Sequence, residues 1–311
     1  MLRRFLTARP VLSIGILLVL CAVVFYVVEN WRGRRAWESW RAAAEKRGVK
    51  LLITDFIPAE IPDAENFAAI PLIRDLFAKR PSWKSAPNPF RLPLDAKNNT
   101  ARPKLQNDIE ERRFDAAAWQ DFFLKTKLLT EKSDSAAADI LHALEQYAPA
   151  MQQIRDAALR PRCRFPARWA DGWAAGLPHL TCLQALSTHL TLRMNASLAL
   201  GRSADALAEF RLGIRVHDAL ASEPCLIAAL VRISILAQME SAVWGGLDAG
   251  QWSDADLAAI ENLLATLHLG DDCRFAFATE RGFANTGLLK LAGQSSSEIF
   301  EAIGGRFGST G

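Results

Sequence analysis

Tyrosine occurs only twice in this 311-residue chain, methionine four times and histidine five times. Alternating β-branched runs are equally scarce, so the period-two pattern of a half-buried strand has little to build on. The five cysteines (Cys21, Cys163, Cys182, Cys225, Cys273) form no CxxC or other metal-ligand spacing. The histidines (His142, His179, His189, His217, His268) lie far apart, with no HExxH or paired-ligand arrangement. No P-loop, no GxGxxG after a strand and no GxSxG elbow occurs. A strong charge of one sign is missing too: 37 Lys and Arg stand against 34 Asp and Glu, a net charge of +3. No Lys/Arg block with interleaved aromatics lies outside the membrane flank, so the footprint of a nucleic-acid partner is lacking.

What is present is alanine and leucine, in a chain that is 50% hydrophobic and 23% charged. That balance points to an all-α protein with a sizeable core. Val11–Val28 is an uncharged run of 18 residues, preceded by Arg3, Arg4 and Arg9 and followed by Glu29, Asn30 and Trp31. No small-x-small cleavage site closes it, so it reads as an uncleaved single-pass anchor with Trp31 at the interface. Arginines flank both ends. A short N-terminal tail before a large domain favours a cytoplasmic tail and a periplasmic domain, in a bacterial inner membrane. There the four cysteines outside the anchor are read as small buried hydrophobes, with a disulfide among them as the alternative.

Trp37, Trp40 and Ala44 at helical spacing carry the anchor helix on to about Lys46, before Gly48. Asp55–Asp63 is an extended loop punctuated by Pro58 and Pro62, with Asp63 placed to cap a short helix that Pro71 interrupts. Arg80–Asn107 is irregular, with five prolines. Asp115–Leu124 reads as a helix burying Trp119, Phe122 and Phe123. Ser135–Leu159 reads as a longer helix kinked or broken at Pro149. The basic connector Arg160–Arg168 holds four arginines, either a solvated loop or a phosphate or anionic-lipid site.

Pro178 suits the first turn of a helix and Gly201 the residue past its end. Leu183, Leu186, Leu190, Met194 and Ser197 share one face of it. Ser203 is placed to cap the next helix, whose inner stripe is Leu207, Phe210, Ile214, His217 and Ala221. The helix near Pro224–Trp244 is apolar on nearly every side and, interrupted by Arg232, too short in its apolar part to span a bilayer. It is expected at the centre, buried all round. Gly245, Gly246 and Gly250 are expected to release it, and Ser253–Asp256 forms a capping box before Leu257, Ile260, Leu264 and Leu267. These make two antiparallel hairpins that echo each other: Gly-Arg-Ser-Ala-Asp-Ala-Leu-Ala from Gly201 and Gly-Gln-Trp-Ser-Asp-Ala-Asp-Leu-Ala from Gly250. The period exceeds that of a tetratricopeptide repeat, so a divergent TPR-like α-solenoid or an irregular bundle is expected.

Several short motifs add a resemblance. They are Trp37-Glu-Ser-Trp40, Arg47-Gly48, Phe56-Ile-Pro58 with Ile61-Pro-Asp63 and Asn66-Phe67, Leu177-Pro-His-Leu180, Glu223-Pro-Cys-Leu226 with Leu230-Val-Arg-Ile233, and Glu280-Arg-Gly282. In this order, over most of residues 1–285, they resemble a membrane-anchored, helical-repeat-like family found in multiple copies in verrucomicrobial-type bacteria. That family has no known activity, so the resemblance implies a fold and an anchor and no catalytic residues. Its members continue further, which makes Gly304–Gly311 a truncated or divergent end.

The organisation expected is a cytoplasmic tail and transmembrane anchor (1–29), a juxtamembrane helix and proline-rich connector (30–133), an α-helical hairpin domain (134–286) and a flexible or truncated tail (287–311). Arg232 is the candidate binding residue, because a buried guanidinium needs a carboxylate, carbonyls or a wet groove. Glu223, Glu280 or Asp171 are its expected partners through the fold. An anion or peptide-carboxylate clamp is the functional alternative to a structural pair. Glu280 and Arg281, ending a helix rich in Phe275, Phe277 and Phe283, complete the candidate set. No catalytic residue, metal or cofactor is expected. The leading function is a membrane-anchored scaffold or adaptor binding another envelope protein or peptide. The alternative is an envelope hydrolase or lipid-handling enzyme with a site near Arg232.

Overall fold

The computed structural model describes residues 2–78, 88–93, 102–105 and 114–292. Most of the proline-rich stretch 80–107 and the end from Gly304 lie outside them. The chain is all-α: the described residues contain no strand, only one isolated bridge between Asn66 and Arg162. Among the described residues ten α-helices follow in order: α1 (Leu2–Lys46), α2 (Pro71–Ala78), α3 (Ala116–Lys125), α4 (Ala136–Leu144), α5 (Ala148–Ala158), α6 (Pro178–Ala199), α7 (Ser203–Ala219), α8 (Leu226–Asp248), α9 (Asp254–Leu264) and α10 (Leu269–Ala292). Two compact units result, Met1–Leu51 and Leu52–Gly311.

The first unit is the single helix α1, long and apolar enough over its N-terminal part to cross a membrane. Beyond Val28 its character changes. Glu29 pairs with Arg32 at 2.8 Å, the Arg35 guanidinium lies 5.3 Å from the Trp31 ring centre, and Trp37 stacks on Trp40. The helix ends at Lys46, before Gly48, whose φ of +72° a residue with a Cβ rarely adopts.

In the second unit the helices pack in two rows. α4, α6, α8 and α10 follow one another in one row, and α5, α7 and α9 in the other, with α3 paired on α4. α6 and α7 form a closely packed antiparallel hairpin, α8 lies against both, and α9 packs on α7. One core cluster joins α6, α7 and α8 through Leu186, Leu190, Phe210, Ile235 and Met239. A second, around Trp119, Phe122 and Phe123, joins α3 and α4 to Leu192 and Ala196 of α6.

Local signals explain most helix ends. Asp115 accepts a hydrogen bond from the Ala118 amide to start α3, and Ser135 does the same for Ala138 to start α4. Ser253 and Asp256 form the reciprocal box that opens α9. α6 and α8 end in the same way 49 residues apart. At Gly201 (φ +70°) the next amide, that of Arg202, reaches back to the Ser197 carbonyl at 2.8 Å, and beyond Gly250 (φ +63°) that of Gln251 reaches the Gly246 carbonyl at 2.8 Å. The echo in sequence is therefore an echo in backbone geometry.

Other expectations are corrected. Of the two readings of Ser135–Leu159, a kink or a break at Pro149, the structure has the break: α4 ends at Leu144, and Pro149, which lacks an amide, sits in the first turn of α5 after the 3-10 turn Glu145–Tyr147. Asp63 lies within a 3-10 turn that Pro62 precedes. Ser203 does not cap α7; it is the first residue of that helix, and Arg202 holds the capping position without a side-chain hydrogen bond. Gly245 and Gly246 do not release α8, which runs to Asp248. Gly246 is required for contact: a Cβ there would fall 2.3 Å from Trp252 Nε1 and 2.9 Å from Leu198 Cδ1. Glu280 and Arg281 do not end a helix, since α10 continues to Ala292. All five cysteines are free.

The largest correction concerns the centre. The most enclosed helix is α6, where only Thr181, Gln184 and Ala199 are exposed and even Ser187, His189 and Thr191 are sealed from solvent, and not α8. On α8 the residues Ile227, Leu230, Ile233 and Trp244 are each about half exposed. Apolar composition reports how well a helix tolerates burial, not on how many sides neighbours will pack.

Candidate functional site

Arg232, the leading candidate from sequence, is 6% exposed and already held. Its Nη2 meets Asp272 of α10 at 2.9 Å, and its Nε donates to the His217 carbonyl at 3.2 Å. The expected carboxylates are elsewhere. Glu280 accepts a hydrogen bond from the Leu226 amide, capping α8 from a neighbouring helix, where a negative charge suits the helix dipole. Because Leu226 meets Glu280 while Arg232 meets Asp272, α8 and α10 run antiparallel, and the two contacts lie about two turns apart. Arg232 and Glu280 thus staple two ends of one helix pair. Arg281 is exposed.

Glu223 has another partner. Its Oε2 accepts from His179 Nε2 at 3.0 Å, with both side chains sealed from solvent. The imidazole is stacked between Phe165, 4.2 Å between ring centres, and Phe77, at 5.4 Å. This knot fastens the start of α6 to the α7–α8 connection. Neither residue stood out as a pair in sequence, since 44 positions separate them; the only signal was that each sits beside a proline in a short motif. Other motifs meet in the same manner. Asn66 bonds both the amide and the carbonyl of Arg164, and Gly282 lets the Leu52 backbone and Phe56 approach α10.

The basic connector is zipped onto the segment around Asn66. The Phe67 amide donates to the Arg162 carbonyl and the Arg162 amide to the Glu65 carbonyl. Its four arginines are engaged: Arg160 with the Asn66 carbonyl, Arg162 with Glu65, Arg164 with Glu60 and Arg168 with Asp171. Where this zipper meets the end of α7 a groove of about 370 Å³ opens. Its floor is Arg215, Asp218, Ala221 and Ser222; its walls are Pro58, Ala59 and Ile61 on one side and Pro161, Arg162 and Cys163 on the other. Arg215 is fixed by the carbonyls of Ala158 and Arg160 and lies over the Phe67 ring. Such a groove offers apolar contact and a few polar side chains.

The thiols of Cys163, Cys182 and Cys225 are not activated. Burial, with Glu223 nearby, pushes the Cys163 thiol well above its ordinary range, and burial pushes Cys182 and Cys225 up to about 12. Among the described residues no group of three His, Cys, Asp or Glu side chains is placed to hold a metal ion. No family model, curated protein or solved structure matches the chain.

Proposed function

We propose that this protein is a membrane-anchored helical scaffold whose groove takes an extended segment of another envelope protein. α1 is the anchor and keeps the domain at the membrane, raising its effective concentration toward partners there. The two helix rows are read as a divergent, TPR-like α-solenoid, an architecture suited to presenting grooves along its length. The carrying observation is the groove itself, apolar at Pro58, Ile61 and Pro161 and floored by Arg215, Asp218 and Ser222. Arg232 belongs to the frame of this domain, because its donors already meet Asp272 and the His217 carbonyl.

The test is quantitative co-purification of the tagged full-length chain from membranes in mild detergent, beside an Ala221→Arg variant that fills the groove floor. A stoichiometric partner lost in that variant, with helicity unchanged, supports the reading. A partner retained in both removes the groove from it, and no partner in either sinks the stable scaffold. Reporter fusions after Gly48 and inside the domain test the proposed inner-membrane topology with a periplasmic domain.

A further inference from the structure

Outside α1, ten large apolar side chains are exposed among the described residues, and nine of them lie on the neighbouring helices α8 and α10. On α8 they form a stripe: Ile227 (54% exposed), Leu230 (56%), Ile233 (48%), then Trp244 (52%) and Leu247 (38%). These positions recur at helical spacing over a length of roughly 30 Å. The stripe carries one charge. Between Ile227 and Leu247 the helix has only Arg232, turned inward to Asp272, and the half-buried Glu240, which lies on the face of the stripe between Ile233 and Trp244. α8 is the one helix besides α1, among the described residues, long and apolar enough to cross a membrane, yet 39% of its most apolar stretch is buried against the domain. It is too firmly packed to span and too apolar to stand in water on its outer side.

What meets that side follows from the covalent chain. α1 continues without a break from its apolar run to Lys46, and the domain begins at Leu52. If α1 anchors the chain, a lipid surface is always within reach of the domain. We propose that the outer stripe of α8 seats the helical domain on the bilayer surface as an interfacial helix. This rests on reading α1 as a membrane anchor. Because the stripe holds no free cation, the attraction is apolar: it operates on uncharged phosphatidylcholine and is insensitive to salt, unlike headgroup recognition by a basic face.

The test uses the full chain reconstituted into phosphatidylcholine vesicles. A nitroxide is placed at Leu230→Cys, or for comparison at Leu159→Cys, in a Cys21→Ser, Cys163→Ser, Cys273→Ser background. Leu159, at the end of α5, is 86% exposed and off the stripe. The expected result is a label at 230 that collides with lipid-soluble oxygen over an aqueous nickel chelate on the order of fivefold more than the label at 159, at low and high salt. Equal aqueous access at both positions overturns the proposal. So does a label at 230 shielded from both reagents with dipolar broadening between labels, because a second copy then covers the stripe. Alkaline carbonate extraction separates the two readings: protein released from the vesicles sinks the anchor, whereas protein retained with an aqueous label at 230 sinks only the docking. Should Leu230→Cys lose helicity, Ile233→Cys takes its place.

Discussion

α6 and α8 are neighbours of similar length, and their sequences and surroundings are inverted. α6 carries two histidines, three threonines, two serines and an asparagine, and over most of its length is enclosed by α2, α4, α7 and α8. α8 is far more apolar and leaves one side open. The polar side chains of α6 survive burial because most return to their own helix. Thr191 donates to the Ser187 carbonyl at 2.9 Å and Asn195 to the Thr191 carbonyl at 2.8 Å, while Ser187 reaches Gln238 of α8. A helix that satisfies its polar groups internally can be central with modest hydrophobicity. One that is apolar throughout can still be left with one side open, because apolar composition does not supply neighbours.

The comparison can be broken most forcefully at the start of α6. Glu223→Ala leaves His179 buried without its hydrogen-bond partner and a cavity beside it, and should cost about 3–5 kcal/mol in urea unfolding of the detergent-solubilised chain. Leu186→Ala, on the enclosed helix, should cost about 2–5 kcal/mol by the same measurement. pH sharpens the contrast further. His189 donates from Nε2 to the Phe90 carbonyl at 2.8 Å, and its Nδ1 has no hydrogen-bond partner among the described residues. Burial holds its pKa down at about 4, against 6.5 for an exposed histidine. Above pH 6.5 the ring is neutral whether folded or unfolded. Between 6.5 and 4 the unfolded chain takes up the proton first, so stability should fall by up to roughly 3 kcal/mol. A His189→Gln variant should show a shallower acid limb than the parent. Gly246→Ala, which drives a methyl group into Trp252 and Leu198, should cost about 1–3 kcal/mol. Leu230→Ala, on the open side of α8, should change stability by less than about 0.5 kcal/mol. A cost near that of Leu186→Ala would show that the two helices are equally enclosed.

Acid weakens one further clamp. Asp139 is buried, which pushes its carboxyl up, but the amide and hydroxyl of Ser133 and the amide of Gln120 outweigh this and hold it below the ordinary range. It holds α3 to α4 and is lost only when pH falls below the carboxylate range, later than His189.

Local chemistry made much of this protein legible. The long apolar N-terminal helix and its end before Gly48, the helix starts at Asp115 and Ser135, the capping box at Ser253, and the glycine turns at Gly201 and Gly250 follow from residues within a few positions of one another. For the candidate site the sequence identified Arg232 as a residue that must find a partner, and Glu280 as a carboxylate of interest. It could not say that Arg232 would choose Asp272, that Glu280 would cap α8, or that Glu223 would go to His179. Those choices depend on the orientation of helices dozens of residues apart, and several carboxylates were chemically equivalent until packing separated them. The groove has the same origin, since Ile61, Pro161 and Ser222 are unremarkable until two connectors are zipped beside the end of α7. Composition and periodicity determined which segments are helices and which faces tolerate burial, because those are properties of one segment and water. Which helix became the centre was decided by tertiary structure alone, since enclosure depends on how many neighbours a helix has.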